Sequence, residues 1–118
     1  MDEYEKLTFL GDTAPALMRV LHARAKRHDG SSRVQVAYRD MASEAEITIK
    51  IAVRLCHRFR SVGLIKLLAR GRNGRINTYG LMPLTDEKIT EARQKWSAMS
   101  AAQHWGLRSS VLKRVFGV

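Results

Sequence analysis

The reactive side chains of this sequence do not fall at the spacings that catalysis or metal binding requires. Its four histidines, His22, His28, His57 and His104, have no metal-ligand spacing with one another or with Cys56. The sequence shows no Ser/His/Asp set, no pair of carboxylates placed for acid–base catalysis and no glycine loop followed by a helix. We therefore expect a protein without enzymatic activity, metal or cofactor.

The cationic side chains, by contrast, are numerous and concentrated in one part of the chain. There are 21 Lys and Arg against 11 Asp and Glu, which gives a formal net charge of +10. Residues 14–85 hold fourteen of these cations and four of the acids, so this region alone carries as much net charge as the whole chain. Such a balance predicts a polyanionic partner, either nucleic acid or an anionic membrane surface.

No feature of the sequence indicates secretion or membrane insertion. The acidic segment MDEYEKLTFL lacks the basic and apolar regions of a signal peptide. No apolar run approaches the roughly 18–20 residues that cross a bilayer. Cys56 is the only cysteine, which excludes an intramolecular disulfide; we interpret it as a small buried hydrophobe, with a redox-sensitive thiol as the alternative. We expect a cytoplasmic protein with no membrane partner.

The periodicity of the apolar residues predicts helices and strands within a single domain. Asp29-Gly30 is typical of a helix end, and Val34 and Val36 alternate with polar residues as in a strand. The predicted elements are, in order, a helix over 14–28, a short strand over 33–36, a helix over 39–45, a helix over 48–62, a hairpin over 64–81, a helix over 85–103 and a short final helix over 109–116.

Local signals mark the ends of several of these elements. Thr48 and Thr85 are good N-caps for the helices that follow them. Gly63 stands where a left-handed residue ends a helix. Asn73-Gly74 lies between two β-prone runs, which is the strongest short-range indication of a hairpin.

Between residues 42 and 65, single residues stand at the spacings of a helix-turn-helix pattern, and Tyr79-Gly80-Leu81 matches the usual end of the hairpin behind it. This region resembles the winged helix-turn-helix DNA-binding superfamily of bacterial, archaeal and mobile-element regulators. The resemblance covers roughly residues 14–82 and implies a mostly helical α+β fold of helix, short strand, helix, helix and hairpin wing. The matching positions are Ala42, Ile47, Thr48, Arg54, Phe59, Gly63, Leu64 and Ile65.

With that fold, the chain divides into three regions. Residues 1–13 form an N-terminal lead-in, 14–83 the winged helix-turn-helix DNA-binding domain, and 84–118 a C-terminal helical extension that is expected to dimerise.

The sequence departs from the superfamily pattern at three places. Glu46 occupies the turn position that is often glycine, and Ile51-Ala52 replaces the usual Thr-Val pair. Ile49 and Ile51 are apolar at early positions of the recognition helix. These two side chains either contact thymine methyl groups or pack against another protein element.

The resemblance places the helix over 48–62 in the major groove and the wing over 70–75 on the backbone or in the minor groove. The alternative is that the cations of the helix only solvate the outside of a core helix and those of the wing keep a turn soluble. We favour DNA because the cations are concentrated in this region and the wing tip contains no acidic residue. The expected DNA-binding residues are Arg39, Thr48, Lys50, Val53, Arg54, His57, Arg58, Arg70, Arg72, Asn73 and Arg75.

An apolar seam follows on the helix over 85–103. Ile89, Ala92, Trp96 and Met99 recur at alternating intervals of three and four residues. The seam either packs on its own domain or forms a homodimer interface, and we favour the dimer because pairing supplies two DNA half-sites.

The leading hypothesis is therefore a dimeric, sequence-specific transcriptional regulator that binds double-stranded DNA. A second hypothesis is a plasmid or phage replication or partition protein that assembles on repeated DNA sites. A third is a winged-helix module whose apolar third helix docks a protein partner.

Overall fold

Helices pack on one face of a small antiparallel sheet, so the expected α+β class is confirmed. The computed structural model describes residues 2–28, 31–72 and 76–99. The chain begins with a 3₁₀ helix, Glu5–Leu10. The elements after it are α1 (Ala14–Arg24), β1 (Lys26–His28), β2 (Ser31–Ala37), α2 (Tyr38–Ala45), α3 (Ile49–Ser61), β3 (Ile65–Ala69), β4 (Ile76–Leu81) and α4 (Asp86–Ala98).

The four strands lie in the order β1-β2-β4-β3, and every neighbouring pair is antiparallel. Tyr79 of β4 is opposite Val34 of β2 on one side and Leu67 of β3 on the other. Because side chains alternate across a strand, these residues share the face that meets the helices. The register shifts between Leu67 and Ala69, so Leu68 is the extra residue of a β-bulge.

A single apolar core lies between the inner face of this sheet and the helices. Its largest fully buried side chains include Phe59 of α3 and Tyr79 of β4. α1, α2 and α3 contribute further fully buried residues, among them Leu17, Met41 and Leu55. Burial of such side chains contributes roughly 1.5–3 kcal/mol each, and this burial fixes the position of α3 against the sheet.

The first helix is shorter than its apolar pattern predicts. α1 ends at Arg24, Ala25 is already extended with ψ 141°, and Lys26–His28 form β1 instead of a last helical turn. The predicted helix over 14–28 is therefore wrong in its last four residues. Pairing of β1 with β2 supplies tertiary hydrogen bonds that a local pattern does not reveal.

The N-terminal segment packs into the domain. Leu7 and Leu10 of the 3₁₀ helix are fully buried in the common core. Gly11, at φ 145°, then turns the chain close to α3, because a Cβ at this position would lie 3.3 Å from Cδ2 of Leu55. Residues on both sides of the boundary expected after residue 13 therefore contribute to one core.

The turn between α2 and α3 is built with a left-handed glutamate. Glu46 has φ 59° and ψ 43°, and the N–H of Ile47 donates to the Ala42 carbonyl at 2.9 Å. Thr48 then caps α3, its Oγ1 accepting from the N–H of Ile51 at 3.2 Å, and Gly63, at φ 82°, follows the helix end. The predicted cap at Thr48 and the left-handed glycine at 63 are confirmed.

α4 begins as predicted but ends earlier. The Thr85 Oγ1 accepts from the N–H of Lys88, and an ion pair of 2.7 Å joins Lys6 to Asp86 in the first turn. Met99, which the predicted helix over 85–103 included, is extended with ψ 151°. The prediction is therefore wrong at Met99. The predicted turn at 73–74 and the final helix over 109–116 lie outside the described residues.

Candidate nucleic-acid interface

α3 has two chemically distinct faces. Ala52, Leu55, Cys56 and Phe59 recur at intervals of three, one and three residues, and all four are buried. A helix turns by about 100° per residue, so Lys50, Val53, Arg54 and His57 form a stripe on the opposite side. Lys50 is exposed and the other three are half-buried. Four of the predicted DNA-binding residues thus share one outward stripe.

The N-terminal end of α3 lies at the surface. Thr48 is exposed although its hydroxyl is used in the helix cap, and Arg39 of α2 is also exposed. The first turn of α3 contains no acidic residue. The partial positive charge of a helix N-terminus therefore adds to the charge of Lys50, and the combined field favours an anion such as phosphate.

Arg58, also an expected DNA-binding residue, does not belong to this outward stripe. Its Nη1 donates to the carbonyl of Leu10 at 2.6 Å, and its guanidinium lies 5.5 Å from the ring centroid of Trp96. Burial lowers the pKa of Arg58, and the positive charge of Arg54 lowers it further. Arg58 lies on the flank of α3, where it joins the N-terminal segment to α4.

The two early isoleucines of α3 have different surroundings. Ile51 is partly buried and packs against the core, whereas Ile49 is 51% exposed. The sequence left open whether these two side chains contact thymine methyl groups or pack against another protein element, and the structure distinguishes the two residues. Ile51 packs within its own domain, and Ile49 remains at the surface beside Lys50.

The hairpin of β3 and β4 presents cations near its tip. Arg70 and Arg72 are exposed, while Asn73 and Arg75 lie outside the described residues. Gly71 is required for close packing, because a Cβ there would lie 1.9 Å from the carbonyl oxygen of Ile76. The hairpin therefore approaches its tip with its two strands tightly apposed and its described arginines facing solvent.

A partly buried hydrogen-bond chain, absent from our sequence predictions, connects this hairpin to α2. The Gly71 N–H donates to Oδ1 of Asn77 at 3.3 Å, and Nδ2 of Asn77 donates to the Tyr79 hydroxyl at 3.1 Å. The Tyr79 hydroxyl donates in turn to that of Tyr38 at 3.2 Å. Burial is the main cause of the raised pKa of Tyr79. Asn77 and Tyr79 are two residues apart and therefore share the inner face of β4. This spacing of two polar residues in a predicted strand could have indicated the chain from the sequence.

The α4 seam packs within the protomer. Ile89 is 3% exposed and Ala92 fully buried in the common core, while Trp96 and Met99 pack against that core from its edge. The prediction that these residues form a dimer interface is therefore wrong for Ile89 and Ala92, whose surfaces are already covered. The reason is that α4 packs on the N-terminal 3₁₀ helix, and Arg58 of α3 lies against Trp96, contacts that the helical pattern alone does not show.

Two further reactive groups of the described residues, Cys56 and His22, are buried or partly buried. Burial raises the pKa of Cys56 to about 12, so the thiol stays protonated and packs 3.5 Å from the Met41 sulfur. Nε2 of His22 is buried without a hydrogen-bond partner, and burial lowers the pKa of this imidazole. Among residues 2–28, 31–72 and 76–99, no cluster of potential metal ligands occurs.

Within the same described ranges, no helix combines the length and apolar character needed to cross a membrane. Comparison of the chain with known protein families, curated proteins and solved structures finds no match.

Proposed function

We propose that this protein binds double-stranded DNA as a winged helix-turn-helix regulator, with α3 in the major groove and the β3–β4 hairpin on the adjacent backbone or minor groove. The order α1, β2, α2, α3, β3, β4 and the antiparallel arrangement of the last two strands beside β2 support this assignment. The left-handed turn at Glu46 fits it too, because it joins two short helices within three residues.

The observation that carries the proposal is the outward stripe of α3. Lys50 and Arg54 are four residues apart on the side opposite the buried residues, next to the exposed helix N-terminus. Recognition helices contact base edges with residues of their N-terminal half, and Lys and Arg are the usual partners of guanine. Ile49 adds an exposed apolar group that fits a thymine methyl.

The hairpin supplies the second contact of the proposed complex. Arg70 and Arg72 are exposed near its tip, and the Asn77–Tyr79–Tyr38 hydrogen-bond chain holds the hairpin against α2. A hairpin held in this way places its cations at a defined distance from α3. We therefore assign α3 the reading of sequence and the hairpin a contact with phosphates.

The proposal is tested by selecting duplexes that bind the purified full chain from a random-sequence library. Lys50→Ala is expected to cost roughly 1–3 kcal/mol on the selected duplex, a loss of about 5- to 150-fold in affinity. Lys95→Ala is the matched control, because Lys95 is an exposed lysine of α4. Equal affinities of Lys50→Ala and the parent protein would contradict the role of α3.

Footprinting of the selected sites separates the regulatory role from the assembly role. A regulator protects one short site, and dimeric binding gives two half-sites about one helical turn apart, roughly 34 Å. A replication or partition protein protects a repeated array. Because Ile89 and Ala92 are buried in the protomer, a dimer of this protein would have to use a different surface.

A second candidate, docking of a protein partner by α3, is favoured by the exposure of Ile49. It predicts that the random library yields no preferred sequence and that DNA binding stays weak and salt-sensitive. Ile49→Ser would then abolish partner capture without changing the weak DNA binding.

A further inference from the structure

The face of the sheet that points away from the helices carries a row of cations across the strands. Lys26 of β1 is directly opposite Arg33 of β2, Arg33 is opposite Gly80 of β4, and Gly80 is opposite Lys66 of β3. All three cationic side chains are exposed. We call Lys26, Arg33 and Lys66 the sheet row. Since it crosses three strand spacings, it extends over about 14 Å.

The alternation of burial shows on which face this row lies. Val34, Tyr79 and Ile65, the neighbours of row positions along their strands, are buried against the helices. The residues between them therefore face outward, and Lys26 faces the same way because it pairs with Arg33. α3 packs on the helix side of the sheet, so the sheet row and the outward stripe of α3 point in different directions.

The row is electrostatically unfavourable in the protein on its own. Like charges directly opposite each other on neighbouring strands repel, as Lys26 and Arg33 do here. Neither β1, β2, β3 nor β4 contains an acidic residue, and within the described part of the chain none of the three row cations has an ion-pair partner. Elsewhere in the same domain, Lys6, Arg19 and Arg24 are each paired with a carboxylate.

The surface around the row fits a phosphate backbone. Gly80 contributes no side chain between Arg33 and Lys66; the apolar side chain of Leu68, 44% exposed, lies close over it, with Cδ1 3.3 Å from where a Cβ would be. Beside the row, Gln35 and Thr78 lie opposite each other on the same outward face and offer hydrogen-bond donors. An array of this length suits an extended polyanion better than a small anion.

We propose that the sheet row binds the phosphate backbone of a second DNA duplex segment, so that one protomer holds two segments on different sides. This inference rests on the proposed function, because the first segment is the one bound by α3. A straight duplex on the outward stripe of α3 cannot also reach a face turned away from the helices. The second segment is therefore a bent continuation of the first or another molecule.

The test compares a row variant, Lys26→Gln/Arg33→Gln/Lys66→Gln, with a control that removes the same charge from α4, Lys88→Gln/Arg93→Gln/Lys95→Gln. The selected duplex is immobilised on beads and loaded with each protein. The amount of a second, labelled duplex that the loaded beads retain is then measured. The salt dependence of binding to a duplex of unrelated sequence is measured in parallel. The row variant should lose the capture, and its salt slope should fall by about 0.9 for each phosphate contact removed, up to about 2.7.

Affinity of the row variant for the selected duplex should stay within about threefold of the parent at low salt, since α3 is unchanged. The control should retain both the capture and the slope. Capture and slope that are unchanged in the row variant would overturn the inference, while the proposed function would stand. A parent protein that binds no duplex overturns both.

Vesicles containing phosphatidylserine provide the remaining comparison. If the row variant loses vesicle binding and keeps duplex capture, the row is a membrane contact and the inference fails. Thermal unfolding verifies the fold, and removal of the repulsion between Lys26 and Arg33 should leave the melting temperature equal or higher. Should the triple variant not fold, Arg33→Gln alone must lower the slope by about 0.9, and an unchanged slope overturns the inference.

Discussion

Arg54 and Arg58 stand one helical turn apart on α3, yet their replacement should affect different properties. Arg58→Ala removes the hydrogen bond to the Leu10 carbonyl and the contact with the Trp96 ring. A hydrogen bond from a charged donor contributes about 1.5–3 kcal/mol and a cation–π contact about 0.5–1 kcal/mol. Because Arg58 is only half-buried, we take the lower end, a loss of about 2 kcal/mol. For a domain of this size the melting temperature should fall by roughly 8 °C.

Arg54→Ala should change the melting temperature less than Arg58→Ala does, because Arg54 lies on the outward stripe of α3. Its affinity for the selected duplex should fall by about 5- to 150-fold. Circular dichroism melting and fluorescence anisotropy at one salt concentration measure the two effects. Arg58→Met, which keeps the aliphatic stem, separates loss of charge from loss of packing.

The reasoning is refuted by the reverse pattern. If Arg58→Ala melts like the parent protein but binds the selected duplex as weakly as Arg54→Ala, then Arg58 contacts DNA. Its bond to the Leu10 carbonyl would then not stabilise the fold.

Four further predictions concern the fold around the interface. Glu46→Gly should stabilise the protein by about 1 kcal/mol, measured by urea unfolding, because glycine adopts the left-handed turn without steric strain; a destabilised variant would contradict this. Burial lowers the pKa of His22, so the folded state binds the proton less readily than the unfolded state. The free energy of unfolding should therefore fall as the pH drops below 6.5, the ordinary pKa of histidine. His22→Phe should flatten that part of the curve of unfolding free energy against pH. Cys56 should resist alkylation by iodoacetamide at pH 8 until the protein is unfolded, and rapid native labelling would show an accessible thiolate. Trp96→Ala should lower the melting temperature without changing the sedimentation coefficient, whereas a change from dimer to monomer would restore the seam as an interface.

Several local features of this protein were predictable from the sequence because they depend on neighbouring residues alone. Thr48 and Thr85 cap their helices with their own hydroxyls, and Gly63 adopts the positive φ that other residues disfavour. The alternation of Val34 and Val36 likewise marked a strand whose inner face is buried. The stripe of Lys50 and Arg54 followed from helical periodicity, since residues opposite a buried face point outward.

Other features depended on contacts between distant parts of the chain. Apolar periodicity shows that a helix face is buried but not which partner covers it, so the α4 seam was assigned to a second protomer when the domain's own core covers Ile89 and Ala92. The same limit applies to Arg58, whose place on the flank of α3 allowed either an outward or an inward contact until Leu10 and Trp96 were positioned.

The sheet row illustrates the same division. Lys66 is far in sequence from Lys26 and Arg33, and β1 was predicted as the end of a helix, so no local pattern connected the three residues. Composition and local hydrogen bonding determined the charge, the caps and the helix faces of this protein. Strand register and the packing of the N-terminal segment and α4 decided which charges share a surface, because register and packing depend on tertiary interactions that exceed local preferences.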